Sequence, residues 1–309
     1  MRPERSSIAG TVLVVGRNGQ VARALAAAAP LGGLDAICAG RDVLDLAQPE
    51  RLAAGLIDLC DTHQPIAVIN SAAYTAVDRA EEERDLAFTV NGQAPGILAG
   101  ACRDAGIPFL HISTDYVFDG TKAGPYVESD PVAPINSYGA SKLAGEQAVA
   151  AAGGTCATIR TSWVYGPVGQ NFLRTMLRLG SSRPVLRVVD DQFGSPTETG
   201  ELATALLQIA RSLAQAPALA GTYHYCGQGR TSWCGFARRI LAHAAALRPD
   251  IAWAAVEATD TAGYPTPAAR PKNSEMSTQL LRDTFGIAIR PWEDALEGAM
   301  NRLDWSGLA

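Results

Sequence analysis

Apolar and polar positions alternate in blocks through the first half of the chain. Short runs rich in branched and aromatic residues fall at 11–15 (TVLVV), 34–39 (LDAICA), 66–70 (IAVIN), 107–112 (IPFLHI) and 157–160 (ATIR). Their length and continuous apolarity predict strands buried on both faces. Longer stretches between them, near 20–29, 49–62, 84–105 and 137–151, predict helices. Strand and helix in regular alternation give a parallel sheet with helices on both sides, so the expected class is α/β with a doubly wound sheet. After Trp163 the pattern loosens into Pro- and Gly-bearing turns, "YGPVG", "DQFGSPT", "GQGRTSW" and "AGYPTPAARPKNS". Segments of that kind suit a smaller lobe mounted on a rigid scaffold. The expected division is a nucleotide-binding part over 1–162, rejoined by about 194–225, and a smaller substrate-binding lobe over 163–193 and 226–309.

Composition narrows the partners. The 309 residues are 47% hydrophobic, enough to bury a large core, and the formal net charge is -5. That balance argues against a strongly basic nucleic-acid surface and favours a small-molecule ligand. The six cysteines contain no C-x-x-C and fall mostly in apolar runs, so they read as reduced, buried thiols. The N-terminal "MRPERSS" is charged, the apolar run that follows is too short for a signal-peptide core, and no stretch approaches a membrane span. A cytoplasmic protein without membrane contact is expected.

The stretch "VVGRNGQVA" closes the first strand and opens the first helix, placing Gly16, Gly19 and Ala22 in a G-x-x-G-x-x-A turn. Glycines there allow a tight turn and close backbone approach, while the helix N-terminus faces a pyrophosphate. The same turn could serve only to pack a helix on a strand. Its place between the first strand and first helix favours the nucleotide reading. At the tip of the second strand comes "AGRD": Arg41 can pair with a 2′-phosphate, which favours NADPH, while the adjacent Asp42 leaves NADH open.

The fourth strand runs into "HISTDYVFDG", which sets Ser113, Thr114 and Asp115 at the carboxyl edge of the sheet, where such folds bind ligands. Tyr138 follows in "SYGASK", and Lys142 lies one helical turn beyond it on the same face. The chain's other lysines are Lys122 and Lys272, so a lysine here asks for a reason that arginine would not satisfy. Reducing a ketone by hydride leaves an alkoxide; a tyrosine hydroxyl can protonate it, and a nearby ammonium would ease ionisation of the phenol. The plainer alternative is a pair of solvated residues near a helix start. His111, inside a strand, reads as a core residue, and Trp233, Trp253 and Trp292 read as packing residues.

The ordered stretches "GRNGQVA", "NSAAYTAVDRAE", "STDYVFDG", "SYGASKLAGE", "RTSWVYG", "DQFGSPT" and "YPTPAARPKNSEM" run nearly end to end, and through them the chain resembles the dTDP-4-dehydrorhamnose reductase family of extended short-chain dehydrogenases/reductases. The resemblance implies a Rossmann-like fold with a C-terminal substrate-binding lobe, an NADP(H) cofactor and reduction of the 4-keto group of a dTDP-sugar. It implies Thr114, Tyr138 and Lys142 as the catalytic set. Gly16, Gly19, Gln20, Val21, Arg41, Asp45, Leu46, Ala72, Ala73 and Tyr74 would meet the cofactor, with Tyr138 and Lys142. Asp115, Trp163, Arg270 and Asn273 would join Thr114 and Tyr138 on the substrate. Ala24 stands where some members of the family place a glutamate of a magnesium-bridged dimer, and Glu201 alone makes no metal site, so no metal is expected while a homodimer stays open. Tyr116 stands where the related dehydratases carry a glutamate, which favours reduction over elimination. A ketoreductase of another dTDP-deoxysugar pathway, such as dihydrostreptose synthesis, and a non-catalytic NADP-binding regulatory subunit remain as alternatives.

Overall fold

The computed structural model describes residues 10–307; the stretch "MRPERSS" and the last two residues lie outside them. Strands β1 (Gly10–Val15), β2 (Leu34–Ala39), β3 (Ala67–Asn70), β4 (Phe109–Thr114) and β5 (Cys156–Thr161) join the strand Gly221–His224 in one parallel sheet. Its order is Gly221–His224, β5, β4, β3, β1, β2. The chain winds outward from β1 to β2 and then returns to the other side of β1 for β3. The carboxyl ends of β1 and β3 therefore border the reversal where such sheets open a ligand crevice.

Alternation along β1 divides the interior. Val12 and Val14 enter a core shared with Ala22 and Leu25 of α1 (Gln20–Ala28) and with the helix Thr199–Gln215. Leu13 and Val15 enter the opposite core with Leu52 and Leu56 of α2 (Pro49–His63) and with Leu98 further on. Both faces are covered, which is why the strands read as unbroken apolar runs. A separate core around Tyr165, Leu173, Phe236, Ile240, Leu296 and Met300 gathers the helices Phe172–Gly180, Trp233–Leu247 and Trp292–Asn301 beside a two-strand pair, Val185–Val189 with Ala255–Thr259. Among the described residues no helix is long and apolar enough to cross a membrane.

The single helix expected over 84–105 is divided in three: α3 (Arg84–Phe88), a π turn at Thr89–Gln93 and α4 (Ala94–Asp104). Pro95 has no N–H to return to the carbonyl of Asn91, so the α ladder cannot run through. Helix α5 (Ser137–Ala152) buries Ser137, Ser141, Gly145 and Val149 at intervals of four, with Lys142 and Glu146 beside them. Its inward face is polar and small rather than apolar.

Candidate active site

At the end of β1 the chain turns under Gly16, whose N–H donates to the Ala39 carbonyl (2.8 Å) and whose φ is +117°. A side chain there would be strained, and its Cβ would fall 2.9 Å from Ser71 Oγ. Gly19 caps α1 with no side chain bonded to the helix amides, and the space above it is open. The N–H groups at Gln20 and Val21 thus begin an anion cradle of the kind a pyrophosphate occupies. Ala22 is buried in the core, and Gln20 Oε1 accepts from Asn171 Nδ2 (2.8 Å), tying the turn to the lobe. Ala72, Ala73 and Tyr74 leave β3 alongside this turn. Buried Asn91, in the π turn, holds both backbone groups of Tyr74: Oδ1 accepts from its N–H (2.8 Å) and Nδ2 donates to its carbonyl (2.9 Å). The Tyr74 hydroxyl donates to Glu83 (2.6 Å).

The adenosine end differs from expectation in one respect. Arg41 is 89% exposed, its guanidinium 3.9 Å from Asp45. Arg17, inside the glycine turn, lies across the tip of β2 instead: its Nε donates to the Cys38 carbonyl (3.3 Å) and its Nη1 to Asp42 (3.1 Å). A Cβ on Gly40 would stand 2.6 Å from Asp42 Oδ1 and 3.0 Å from the Arg17 guanidinium carbon, so the Arg17–Asp42 pair fills the space beside Gly40. Sequence reasoning passed over Arg17, although a charged residue within the glycine turn was itself a signal. Asp45 accepts from Ala47 N–H (3.1 Å), and Leu46 is buried in the core.

At the reacting end, Thr114 and Asp115 are buried past the edge of β4, and Thr114 Oγ1 donates to Asp115 Oδ1 (2.9 Å). Asp115 Oδ2 has no hydrogen-bond partner. Burial pushes the Asp115 carboxyl up to about 6, against the Ser274 and Thr114 hydroxyls. Tyr138, in the first turn of α5, meets the Tyr116 ring edge-on with centroids 5.9 Å apart. Lys142 is buried and its Nζ donates to the Ile112 carbonyl (2.6 Å). The Tyr138 phenol is shifted chiefly by burial. Burial pushes the phenol up to about 12; the Thr114 hydroxyl opposes this and the Asp115 carboxylate adds to it. The lysine itself is lowered to about 8 by burial, with Glu146 working the other way.

Three groups outside the expected set aim α5. Asn136 Oδ1 accepts from Gly139 N–H (2.7 Å) as the N-cap, while its Nδ2 donates to the Ala269 carbonyl (2.7 Å). The Glu81 carboxylate accepts from both the N–H and the hydroxyl of Ser137, each at 2.8 Å. Asn91 completes the set by donating to Ser141 Oγ (3.0 Å). His111 is buried, as a core residue would be, yet its ring nitrogens reach Asn70 and Lys142.

The substrate-side candidates separate. Trp163 adopts φ +46° and stacks face to face on Trp233 with centroids 3.6 Å apart. Arg270 forks onto Asp78 with two 2.8 Å bonds, and its charge reaches Tyr116. Asn273 is occupied with the scaffold: Nδ2 donates to the carbonyls of Lys122 (2.9 Å) and Gly124 (3.0 Å), and Oδ1 accepts from Glu275 N–H (3.2 Å). Both its amide hydrogens are spent, leaving none for a ligand. Glu201 pairs with Arg290, and among the described residues no cluster of three His, Cys, Asp or Glu is placed to hold a metal.

Comparison with known proteins agrees with this geometry. Residues 10–305 match the family described as RmlD substrate binding domain. The chain belongs to this family. Its relatives include a dTDP-4-dehydrorhamnose reductase of Burkholderia thailandensis, 45% identical over 92% of this chain and 96% of that protein. The dTDP-4-dehydrorhamnose reductase of Escherichia coli K12 is 37% identical over 94% of this chain and 97% of its own. A crystal structure of the dTDP-4-dehydrorhamnose reductase from Bacillus anthracis in complex with NADP superposes with a TM-score of 0.85 at 35% identity, covering 95% of this chain and 99% of that one. Membership gives the chain a Rossmann-type reductase fold along nearly its whole length.

Proposed function

We propose that the chain reduces the 4-keto group of dTDP-4-dehydro-L-rhamnose to give dTDP-L-rhamnose, with NADPH as reductant. The observation that carries this reading is that Thr114, at the carboxyl end of β4, hydrogen-bonds Tyr138, while Lys142, one turn further along α5, is bonded to the Ile112 carbonyl of the same strand. It is supported by end-to-end similarity to reductases of that name.

The residues present fit the cofactor. The turn at Gly16 and Gly19 would hold the pyrophosphate, Arg17 and Arg41 the 2′-phosphate, Asp45 and Leu46 the adenosine, and Ala72 to Tyr74 the underside of the nicotinamide half. When bound, NADPH supplies the hydride that reaches carbon 4 of the sugar. Thr114 orients the ketone oxygen. Tyr138 donates its proton to that oxygen as negative charge develops. The phenol, raised by burial, is protonated at neutral pH and so enters each turnover as the acid. Lys142 would hold the nicotinamide ribose from one helical turn further along α5.

Tyr116 accounts for the choice of reduction. Eliminating water from a sugar needs a further acid and base beside the tyrosine. Here that position carries a second phenol, packed against Tyr138 and itself raised by burial. Replacing Tyr138 with Phe removes the proton donor and little else. Turnover is expected to fall about 10²- to 10⁴-fold while NADPH binding, followed by fluorescence titration, is retained. Near-normal turnover in that variant would end the proposal.

A further inference from the structure

His111 lies directly behind the reacting groups, fully buried on β4 and stacked over Phe109. Its two nitrogens face different partners: Nδ1 is 3.2 Å from Asn70 Nδ2, and Nε2 is 3.4 Å from Lys142 Nζ. The Asn70 amide is fixed in direction by the Ala72 N–H, which can only donate and so selects Oδ1, 3.2 Å away. Reversed, it would set two donors against each other. The NH₂ group of Asn70 therefore faces His111, and Nδ1 must accept. A neutral imidazole accepting at Nδ1 carries its proton on Nε2. Burial and the lysine charge both oppose a second proton on the ring.

An N–H thus points at Lys142 Nζ. An ammonium has no lone pair and meets it donor to donor. A neutral amine accepts from Nε2 while donating one hydrogen to the Ile112 carbonyl at 2.6 Å. We propose that Asn70 and His111 form a tautomer lock on Lys142: they offer its nitrogen a hydrogen-bond donor, make the neutral amine a supported state, and so make His111 a positioning residue for the reaction. The kinetic consequence rests on the reductase reading; the tautomer does not.

The groups around Nζ come from three elements. On α5, Glu146 favours the ammonium, but its carboxylate is held by Arg160 of β5 through Nε (3.0 Å) and Nη2 (2.7 Å). His111 on β4 completes the set. With the donor at Nε2 in place, Lys142 loses its charge at lower pH than burial alone would give; on the reductase reading the ammonium is the form that holds the nicotinamide ribose, so the upper pH limit of activity falls with it.

Two measurements test this. In the full-length protein labelled with ¹⁵N-histidine, with and without NADP⁺, the His111 ring signals are assigned by a His111→Phe variant or by elimination through variants of His63, His224 and His243. The expected pattern is a protonated Nε2 and a bare Nδ1; a proton on Nδ1, or on both, overturns the lock. The second is the pH profile of kcat with NADPH. His111→Phe keeps a buried ring and removes the donor, so the alkaline limb should move up by about 0.5 to 1 pH unit. A purely structural role would lower kcat or Tm and leave the limb where it was, and that outcome also overturns the lock. An absence of turnover on this sugar would count against the reductase reading and leave the tautomer measurement standing.

Discussion

At the tip of β2 the Arg17 guanidinium and the Asp42 carboxylate share the space beside Gly40. Arg17 covers Gly40 at the tip of β2 and is held there by Asp42 and the Cys38 carbonyl. A charge-assisted bond to a 2′-phosphate is worth about 1.5–3 kcal/mol, so Arg17→Ala should cut kcat/KM for NADPH about tenfold or more and leave NADH nearly unchanged. Arg41→Ala should cost less, since that side chain is 89% exposed. If Arg17→Ala left the NADPH to NADH ratio of kcat/KM unaltered, Arg17 would have no part in reading the phosphate. The arginine following β2 could be found by counting along the chain. The one that reaches across from β1 could not, because its role comes from the parallel pairing of the two strands. Asp115 gives a second expectation at this scale. Its carboxyl is raised to about 6, so it is ionised only above that pH. If the carboxylate accepts a sugar hydroxyl, activity falls as pH drops through about 6, and Asp115→Asn abolishes that acid limb along with most of the activity. An acid limb that persists in Asp115→Asn would assign it to another group.

Helix α5 works because of what its inward face omits. A Cβ on Gly145 would stand 2.0 Å from the Asn91 carbonyl, the group that Pro95 leaves without an α-helical partner. Gly145→Ala therefore has to push α5 away from the π turn. It should cost about 1–3 kcal/mol, seen as a fall in Tm of several degrees, and lower kcat because Asn91 holds both Ser141 and the Tyr74 backbone. Gly100→Ala is the control: nothing lies within 4 Å of its Cβ, and it should be neutral or slightly stabilising. Equal effects of the two would mean that the close approach of α5 is unimportant. The helix itself was legible from "SYGASKLAGE", but its tethers were not. Glu81 and Asn91 are polar residues in a helical stretch, and only the packing of distant segments reveals that they grip Ser137, Ser141 and Tyr74. The division of 84–105 was foreshadowed by Pro95 and still read as continuous, because the apolar periodicity persists on both sides of the π turn.

Across the whole molecule, legibility follows the length of the apolar runs. The first five strands stand out in the sequence and fall within two residues of their expected places. After Trp163 the strands are short, and partners such as Val185–Val189 and Ala255–Thr259 are far apart in the chain, so no local pattern announces them. Arg270 comes to the neighbourhood of Tyr116 only through that long-range assembly. On the proposed reading, recognition of the sugar would fall to this less legible part and the hydride and proton chemistry to the legible part. The direct test of the account therefore joins the two: turnover of dTDP-4-dehydro-L-rhamnose with NADPH deuterated at nicotinamide carbon 4, followed by NMR of the sugar product. The account predicts stoichiometric cofactor oxidation and dTDP-L-rhamnose with deuterium at carbon 4. Binding of the cofactor without consumption, or a product of the opposite configuration at that carbon, would contradict it.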